Sequence, residues 1–536
     1  MNQGKLFMWA LTSALAGFLF GFDTVVISGA EKTIQELWDL DGTRHGWAMS
    51  AALWGTVLGS LFAGWPADRF GRKWTLISIG IFYLVSALWS ASAGDLWSFI
   101  LARFIGGVGV GVSTVVGPMY ISEIAPAEKR GRLAGMFQFN IVFGILVAYL
   151  SNWLIGNAFE GSAWRWMLGI EAVPAVIYGI MCLTLPESPR WLVTKQGKRE
   201  EARAVLAVAR PDWSDAELNA AIEDIEAGGK DSPGGKTKPG GRVPFSRLKI
   251  PLLLAFLIAF FNQLSGINVI LYFAPRLLGL AGLEDPLAAS IWLGVVNLIF
   301  TFVGLWLIDR LGRKTLLLIG SLGYILSLGI CAWAFLSVPG FKVVSAAIDY
   351  QSAAEKVQKL ETANRTVSEE EVAEAEEALL GAAQALVAVT SVDGYQGREV
   401  SLNEAATPAE AKVIGARAKE EAAKLLGGLS TLVLICLLGF IAAHAVGQGA
   451  VIWVFISEIF PNAFRAYGQS FGCATHWVFA ALLSQLFPIA IGRFDAGYIF
   501  AFFAFMMMLQ LLWVLLMVPE TKGVPLEEME KKLGVT

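Results

Sequence analysis

The sequence predicts an all-α membrane protein whose twelve transmembrane helices form two six-helix bundles. Of its 536 residues, 55% are hydrophobic and only 16% are charged, whereas soluble domains carry about 25% charged residues. Its mean hydropathy is +0.58. Long apolar runs recur along the chain, and short motifs of the first half return in the second. The charges fall in the loops and form no basic stripe, so we expect a lipid bilayer around the protein and no nucleic acid partner.

Apolar runs long enough to cross the hydrocarbon core, which takes about 20 residues, define the predicted spans. They cover roughly residues 6–28, 47–65, 74–93, 97–117, 133–155, 164–185, 250–274, 286–308, 315–337, 428–456, 466–490 and 496–518. Spans this long and numerous are unlike a cleaved signal peptide, so we expect the spans themselves to direct membrane insertion.

Lys and Arg concentrate in alternate short loops. Segments 67–73, 127–132 and 309–314 each carry three, whereas 92–97 and 152–164 carry none. The positive-inside rule therefore places the basic loops and both termini in the cytoplasm. We predict a multi-pass protein of the cell membrane, whether plasma or inner.

Three motifs occur twice in the same order. "DRFGRK" (68–73) returns as "DRLGRK" (309–314), "YISEIAP" as "FISEIFP", and "PESPR" as "PETKG". Because each copy keeps its side of the membrane, the halves are related by an axis along the membrane normal, with a cavity between them. We predict a first bundle over 1–186, a cytoplasmic linker with short helices over 187–248, a second bundle over 249–520 and a cytoplasmic tail over 521–536.

The second half contains an insertion between spans nine and ten. Ser122 follows Asp68 by 54 residues, whereas Ser457 follows the matching Asp309 by 148. The extra length falls at 340–426, on the side opposite the basic loops. It is rich in Ala, Glu and Lys, and Ser368 and Thr407 are helix-start signals, so we expect two or three short helices outside the membrane. Its role stays open between a solvated cap and a functional element.

Catalytic and metal chemistry find no support in the sequence. The four cysteines lie in apolar spans without metal-ligand spacing, and the three histidines have no nucleophile or metal-binding group beside them. The Gly-rich run at 106–111 lies inside a span, where it favours close helix packing rather than a nucleotide loop. We expect neither an enzyme, nor a cofactor, nor a metal.

Asp23 stands alone in the apolar run "LFGFDTVVISG". A charged carboxylate at mid-span costs about 2.5–3.5 kcal/mol and usually marks an ion or proton path. It needs a partner, and Arg103 of span four is the basic residue well placed in the same half. The alternative is a permanent ion pair that only fixes helix packing.

Taken together, the motifs resemble the sugar porters of the major facilitator superfamily. They are "GWPADRFGRK" (64–73), "RFIGGVGVG" (103–111), "PMYISEIAPAEKRGRL" (118–133), "PESPRWL" (186–192), "QLSGIN" (263–268), "DRLGRK" (309–314) and "PETKG" (519–523). The "DRxGRK" motif alone indicates only the superfamily, whereas "PESPRWL", "QLSGIN" and "PETKG" are specific to sugar porters. The resemblance covers nearly the whole chain except 340–426 and the linker tip at 228–242. It implies the major facilitator fold and transport of a monosaccharide, a hexose such as glucose or else xylose, by alternating access.

The resemblance implies a sugar site made of uncharged groups that donate and accept hydrogen bonds, with an aromatic plate for the sugar ring. The matching positions are Gln138, Asn262, Gln263, Asn268, Asn297, Trp453 and His476. The chain departs from the family at three positions. Asn262 stands where the family commonly has a glutamine, Ile145 stands where the xylose symporters have a glutamine, and His476 stands where the family usually has Asn or Gln. A lone amide in a span more often joins two helices, but three amides within "FNQLSGIN" favour a polar cavity.

The resemblance also implies the moving parts of a transporter. Asp23 and Arg103 match the pair of the proton-coupled members, whereas facilitative carriers typically have asparagine in place of the aspartate. Gly266 lets the outer half of span seven bend, and Tyr272 and Phe273 resemble its extracellular lid.

Acids and bases at the cytoplasmic span ends predict a charge network that holds that face shut. As each exposed pair contributes about 0–1 kcal/mol, such a network can still break during a transport cycle. Its predicted members are Asp68, Arg72, Glu123, Arg130, Glu187, Arg190, Asp309, Arg313, Glu458, Arg465 and Glu520.

Three functions remain open at this point: a proton–sugar symporter, a facilitative sugar uniporter, and a sugar sensor that does not transport. The predicted partners are a monosaccharide, protons and the lipid bilayer, and we expect the chain to function as a monomer. The aspartate at position 23 favours the symporter.

Overall fold

The computed structural model describes residues 2–159, 161–230, 245–362, 368–402, 405–461 and 464–534. Within these ranges, eleven helices are long and apolar enough to cross a membrane, and a pair bent by 51° completes twelve. The helices of the first half are Asn2–Leu37, Gly42–Phe62 with Gly64–Phe70, Arg72–Ser92, Leu96–Ile124, Ala127–Ala158, and Ala163–Gly169 with Ala172–Leu183. Those of the second half are Lys249–Leu264 with Ile267–Tyr272 and Ala274–Leu280, Pro286–Leu311, Arg313–Ser337, Gly428–Val446 with Gln448–Ile459, Arg465–Ile491, and Ala496–Met517. The predicted fold class is confirmed, and we number these as spans one to twelve.

The spans pack mainly within their own half. Span one lies against span five, and span two against span four, while span nine packs on spans ten and twelve. The main contacts between the halves join span two to span eleven and span five to span eight. The site described below lies along this seam between the halves.

The repeated "DRxGRK" motif builds the same turn twice. Gly71 and Gly312 have φ of 93° and 89°, a region that only glycine enters without strain. A side chain at Gly71 would collide with the carboxylate of Glu187, and one at Gly312 with that of Glu520. The glycine is therefore required both for the backbone conformation and to let the acid approach. We call the end of the molecule that carries these turns the basic end.

The Gly-rich run of span four serves helix packing, as the sequence predicts. A Cβ at Gly107 would collide with the carbonyl of Ala52, and one at Gly111 with that of Thr56. Spans two and four therefore meet backbone to backbone, since no side chain separates them.

The insertion forms three helices, Pro339–Glu361, Glu369–Thr390 and Pro408–Leu426. Ser368 and Glu371 form a reciprocal capping box at the second helix, and Thr407 caps the third, so both helix-start signals are confirmed. The first insertion helix packs against the other two and against the outer part of span seven. Its Lys356 Nζ lies 2.8 Å from Asp39 Oδ2 of the first half. We call the end covered by the insertion the insertion end.

The described part of the segment between the halves contains three α-helices, Pro189–Trp191, Arg199–Ala209 and Asp215–Lys230, a π-helical turn at Leu192–Gln196 and a 3-10 turn at Phe245–Leu248. Trp191, Leu206, Leu218 and Ile222 form a small core of their own. Most of the predicted flexible tip at 228–242 lies outside the described residues.

Several of the predicted spans are broken, and the first break in span seven falls at the glycine where the sequence predicts a bend. Span seven breaks at Gly266, whose φ is 87°, and again at Phe273. Span ten breaks at Gly447, where a Cβ would press on Ala443 and on the backbone of Gly320 in span nine. Glycine at these points lets two helices approach and lets the outer segments turn independently of the inner ones.

Candidate functional site

Asp23 and Arg103 form a buried ion pair. Arg103 Nη1 lies 2.6 Å from Asp23 Oδ1, and its Nη2 donates to the backbone oxygen of the same residue at 3.1 Å. The two residues are 1% and 2% exposed. The two hydrogen bonds fix the guanidinium on span one, so the predicted partnership is present in the structure. A charge pair this deep is stable only while both members are present.

A second carboxylate, Glu171 of span six, lies beside this pair. Its side chain is fully buried, and it interacts electrostatically with Asp23 and Arg103 and through a side-chain hydrogen bond with Asp23. The sequence analysis missed it. The signal was available, because Glu171 is a lone acid in the apolar run of span six, the same pattern that singles out Asp23.

Further polar groups surround the two acids. Tyr83 and Tyr272 are buried within electrostatic range of Asp23, and Ser86 occupies the space over Gly106, next to the same carboxylate. The hydroxyl of Ser86 has no described hydrogen-bond partner. Apart from Tyr272, which comes from span seven, these groups form a polar pocket in the first half that can hold a buried charge.

The amides predicted to bind substrate meet at the break in span seven. Gln263 donates to Asn262 Oδ1 at 3.2 Å and accepts from Asn268 Nδ2 at 2.9 Å. His476 of span eleven lies 3.0 Å from the Gln263 amide nitrogen through its Nε2. Trp453 packs against this histidine, with ring centroids 5.2 Å apart. Five of the seven predicted residues thus form one cluster, which we call the amide cluster.

The other two predicted residues lie apart from these contacts. None of the described hydrogen bonds joins Gln138 of span five or Asn297 of span eight to the amide cluster. Gln138 is half-buried and Asn297 is 8% exposed. Ile145, two turns along from Gln138, is buried and apolar.

The outer part of span seven closes over the amide cluster toward the insertion end. Tyr272 is 2% exposed and Phe273 is fully buried, and the Phe273 ring lies 4.5 Å from that of Phe487 in span eleven. Tyr149 of the first half donates to the backbone oxygen of Leu271 at 2.8 Å. The two predicted lid aromatics are thus in a closed position.

An ion-pair cluster that the sequence analysis missed seals the same end. Arg276 of the second half donates from Nε to Glu31 Oε2 at 3.1 Å and also binds Gln35. His45 Nε2 lies 3.1 Å from Glu31 Oε1. Because Glu31, Gln35 and His45 belong to the first half, Arg276 joins the halves across the seam. We call these four residues the outer closure.

The predicted charge network at the basic end divides into two matched sets. Arg72 contacts Glu123 at 2.9 Å and Asp68 at 3.2 Å, and Glu187 accepts from its backbone nitrogen at 2.8 Å. Burial raises the pKa of the Glu187 carboxyl, although the N–H groups of the turn lower it in part.

The second set repeats this arrangement around Arg313. Arg313 contacts Glu458 at 2.7 Å and Asp309 at 3.2 Å, and its backbone nitrogen donates to Glu520 at 2.9 Å. Each described partner of the two arginines lies in the arginine's own half. The described ion pairs of this network therefore brace each bundle separately.

Three predicted members of the network stand outside these sets. Arg190 and Arg465 take part in no described ion pair, and the side chain of Arg130 lies outside the described residues. No group of three or more His, Cys, Asp or Glu side chains among the described residues could hold a metal ion.

The family model described as "Sugar (and other) transporter" matches residues 9–348 and 409–533. The unmatched residues between these ranges fall within the insertion. The chain is 30% identical to the "Glucose transport protein" of Synechocystis sp., covering 96% of this chain and 95% of that protein. It is also 30% identical to the "Arabinose-proton symporter" of Bacillus subtilis, covering 99% and 95%.

Solved structures of the xylose transporter XylE from Escherichia coli share the fold. The inward open conformation matches with a TM-score of 0.72 at 26% identity, over 98% of this chain and 99% of that one. The form bound to 6-bromo-6-deoxy-D-glucose matches with a TM-score of 0.65 at 26% identity, over 99% and 100%.

Proposed function

The chain belongs to the sugar transporter family of the major facilitator superfamily, and we propose that it carries a monosaccharide together with a proton by alternating access. The observation that carries the proposal is the buried pair of Asp23 and Arg103, with Glu171 beside it. Relatives named for proton symport of arabinose and of D-xylose, each aligned over 99% of this chain, support the same conclusion.

The polar pocket of the first half supplies a place for the proton. Arg103 brings one positive charge, whereas Asp23 and Glu171 together bring two negative charges when both are ionised. A buried site disfavours net charge, so we propose that this pocket binds one proton during the transport cycle. Protonation of Asp23 weakens its hold on Arg103, and we expect this to favour the outward-facing, sugar-binding state.

The amide cluster supplies the sugar site. Its amides donate and accept hydrogen bonds, as sugar hydroxyls do, and Trp453 offers an aromatic face to the C–H side of the ring. His476 stands where the family usually has an amide, and the Gln263 amide now bonds to its ring. A sugar must compete with these internal hydrogen bonds, so we propose that the histidine adjusts which sugars bind well.

We propose that the described conformation faces the cytoplasm. The basic end lies inside by the positive-inside rule, and the outer closure together with Tyr272 and Phe273 blocks the opposite end. On this orientation both termini are cytoplasmic and the insertion is external. We further propose that the protein lies in the cell membrane, in contact with lipid, and works as a monomer.

A facilitative uniporter with the same sugar site is the alternative function. We expect purified protein in sealed vesicles to accumulate a labelled sugar from a panel of D-glucose, D-xylose and L-arabinose only when an inward proton gradient is imposed. Empty vesicles are the control. Equilibration without accumulation would establish the uniporter, and no uptake of any sugar would overturn the proposed function.

Substitution of the amide cluster tests the sugar site directly. We expect Gln263→Ala or Asn268→Ala to weaken sugar affinity about tenfold or more, since each lost hydrogen bond contributes about 0.5–1.5 kcal/mol and leaves a buried partner unsatisfied. Equilibrium binding of labelled sugar measures the change.

Asn152→Ala is the matched control. Asn152 is an equally buried amide, but it donates to the backbone oxygen of Val26 at 3.1 Å and only joins two spans. Its loss should lower stability and leave sugar affinity unchanged. Wild-type affinity in both cluster variants would contradict the assignment of the site.

A further inference from the structure

A cavity of about 850 Å³ lies between the insertion and both bundles. Its walls come from the end of span one, from the segment after Phe273, from the turn before span twelve, and from the first and third insertion helices. Gln35 and Arg276 of the outer closure line it. The cavity therefore adjoins the outer closure. We call it the insertion cavity.

The charges on its walls nearly balance. The lining carries six basic and five acidic side chains, and several are bound to each other, as Lys356 is to Asp39. Five lining side chains take part in no described ion pair. They are the basic Lys359, Lys419 and Arg493 and the acidic Asp349 and Asp495. An ion of either sign would meet like charges as well as opposite ones, so the cavity does not favour an ion.

A neutral molecule with many hydroxyl groups fits this lining better. Each hydroxyl both donates and accepts, so it can bond to an ammonium or guanidinium on one wall and to a carboxylate on another. Leu37, Leu40 and Phe494 add apolar surface for C–H faces. The volume falls within the range of about 300–1,000 Å³ that small-molecule sites occupy.

We propose that the insertion cavity is a second, entry-side binding site for a neutral polyhydroxylated molecule. The identity of this molecule rests on the proposed function: it is the transported sugar, which binds here before the outer closure opens. The insertion then has a role: it supplies one wall of a site that the two bundles alone leave open. Lys419, from the third insertion helix, lines the cavity within electrostatic range of Lys32 of span one.

Thiol protection reports the occupancy of the cavity. Ser352 is exposed on the first insertion helix and lines the cavity, so Ser352→Cys places a thiol there once the four native cysteines are replaced by serine. We expect D-glucose or D-xylose, compared with choline chloride of equal osmolarity, to slow its alkylation by a membrane-impermeant maleimide several-fold. Ser391→Cys, exposed at the end of the second insertion helix and outside the cavity lining, should show no protection.

A second set of variants distinguishes sugar binding at the cavity from sugar binding at the amide cluster. Protection of Ser352→Cys should persist when Gln263→Ala and Asn268→Ala disable the amide cluster, because the sugar then acts at the cavity itself. It should be lost in Lys419→Ala and retained in Lys424→Ala, a lysine of the same helix whose partner is Glu420. The lysine variants keep the amide cluster, so they test the cavity even if the amide double variant fails to fold.

Two results would overturn the proposal. One is equal alkylation of Ser352→Cys with and without sugar, and the other is protection that disappears with the amide cluster, which would make it a conformational effect. Sugar uptake by the unmodified protein is measured in parallel. Its absence would refute the proposed function, whereas normal uptake without protection would refute only the entry-side site.

Discussion

Asp23→Asn is expected to convert a carrier that accumulates sugar against its gradient into one that only equilibrates it. Asparagine keeps the size of aspartate and can still accept a hydrogen bond from Arg103, now 2.6 Å away, so the packing of spans one and four is preserved. It cannot bind and release a proton. The link between the proton gradient and the conformational cycle is therefore lost, while the amide cluster on the other side of the seam is untouched.

Two transport modes measured on the same vesicles separate these effects. Counterflow exchange of labelled sugar, which needs no gradient, should persist in Asp23→Asn, whereas uphill uptake under an inward proton gradient should vanish. Asp95→Asn makes the same chemical change at an exposed helix cap, where asparagine caps equally well, and should leave both modes intact. If Asp23→Asn still concentrates sugar, the aspartate is a structural ion pair and the proton is carried elsewhere.

The elements that the sequence could predict are those whose reason is local. That a lone acid in an apolar run needs a partner is such a rule, although the partner, Arg103, lies 80 residues away. The glycine of "DRxGRK" is needed because its own φ is positive, and both copies show this. The cap at Ser368 is another local rule, complete within four residues.

The elements that the sequence could not predict depend on which spans meet. Glu31 and Arg276 are 245 residues apart, and nothing in either segment alone indicates that they join across the seam. His476 bonds to Gln263 from 213 residues away. The charge network shows the same limit: its members were predictable from the repeat, but the restriction of each arginine to partners in its own half follows only from the conformation. Glu171 is different, because its solitary position in span six was visible and only its proximity to Asp23 was not.

The stability of the fold depends on Arg103 because of the charges buried around Asp23. Asp23 is 1% exposed and Glu171 fully buried, and Arg103 is the cation that interacts with both of them. Without the Arg103 guanidinium, the two carboxylates remain in a buried site with no compensating positive charge. The same guanidinium also ties the backbone of span one to span four, so its loss removes a mechanical link as well as a charge.

Arg103→Ala is therefore expected to be the most damaging single substitution in the first half, because breaking a buried ion pair costs about 3–5 kcal/mol. Thermal unfolding in detergent should show a lower Tm than the wild type, and sugar uptake should be lost in both counterflow and uphill modes. Arg69→Ala is the control, since Arg69 is exposed at the basic end and takes part in no described ion pair. Its Tm should stay close to the wild-type value, as surface substitutions usually change stability by less than about 0.5 kcal/mol.

The combined variant Arg103→Ala with Asp23→Asn should recover part of the lost Tm, because it leaves only Glu171 uncompensated and a single proton neutralises that acid. It should not recover uphill uptake, since the proton can then no longer act on an ion pair. An Arg103→Ala protein as stable as Arg69→Ala would show that the pocket does not depend on the guanidinium, and the charge balance on which the coupling mechanism rests would be wrong.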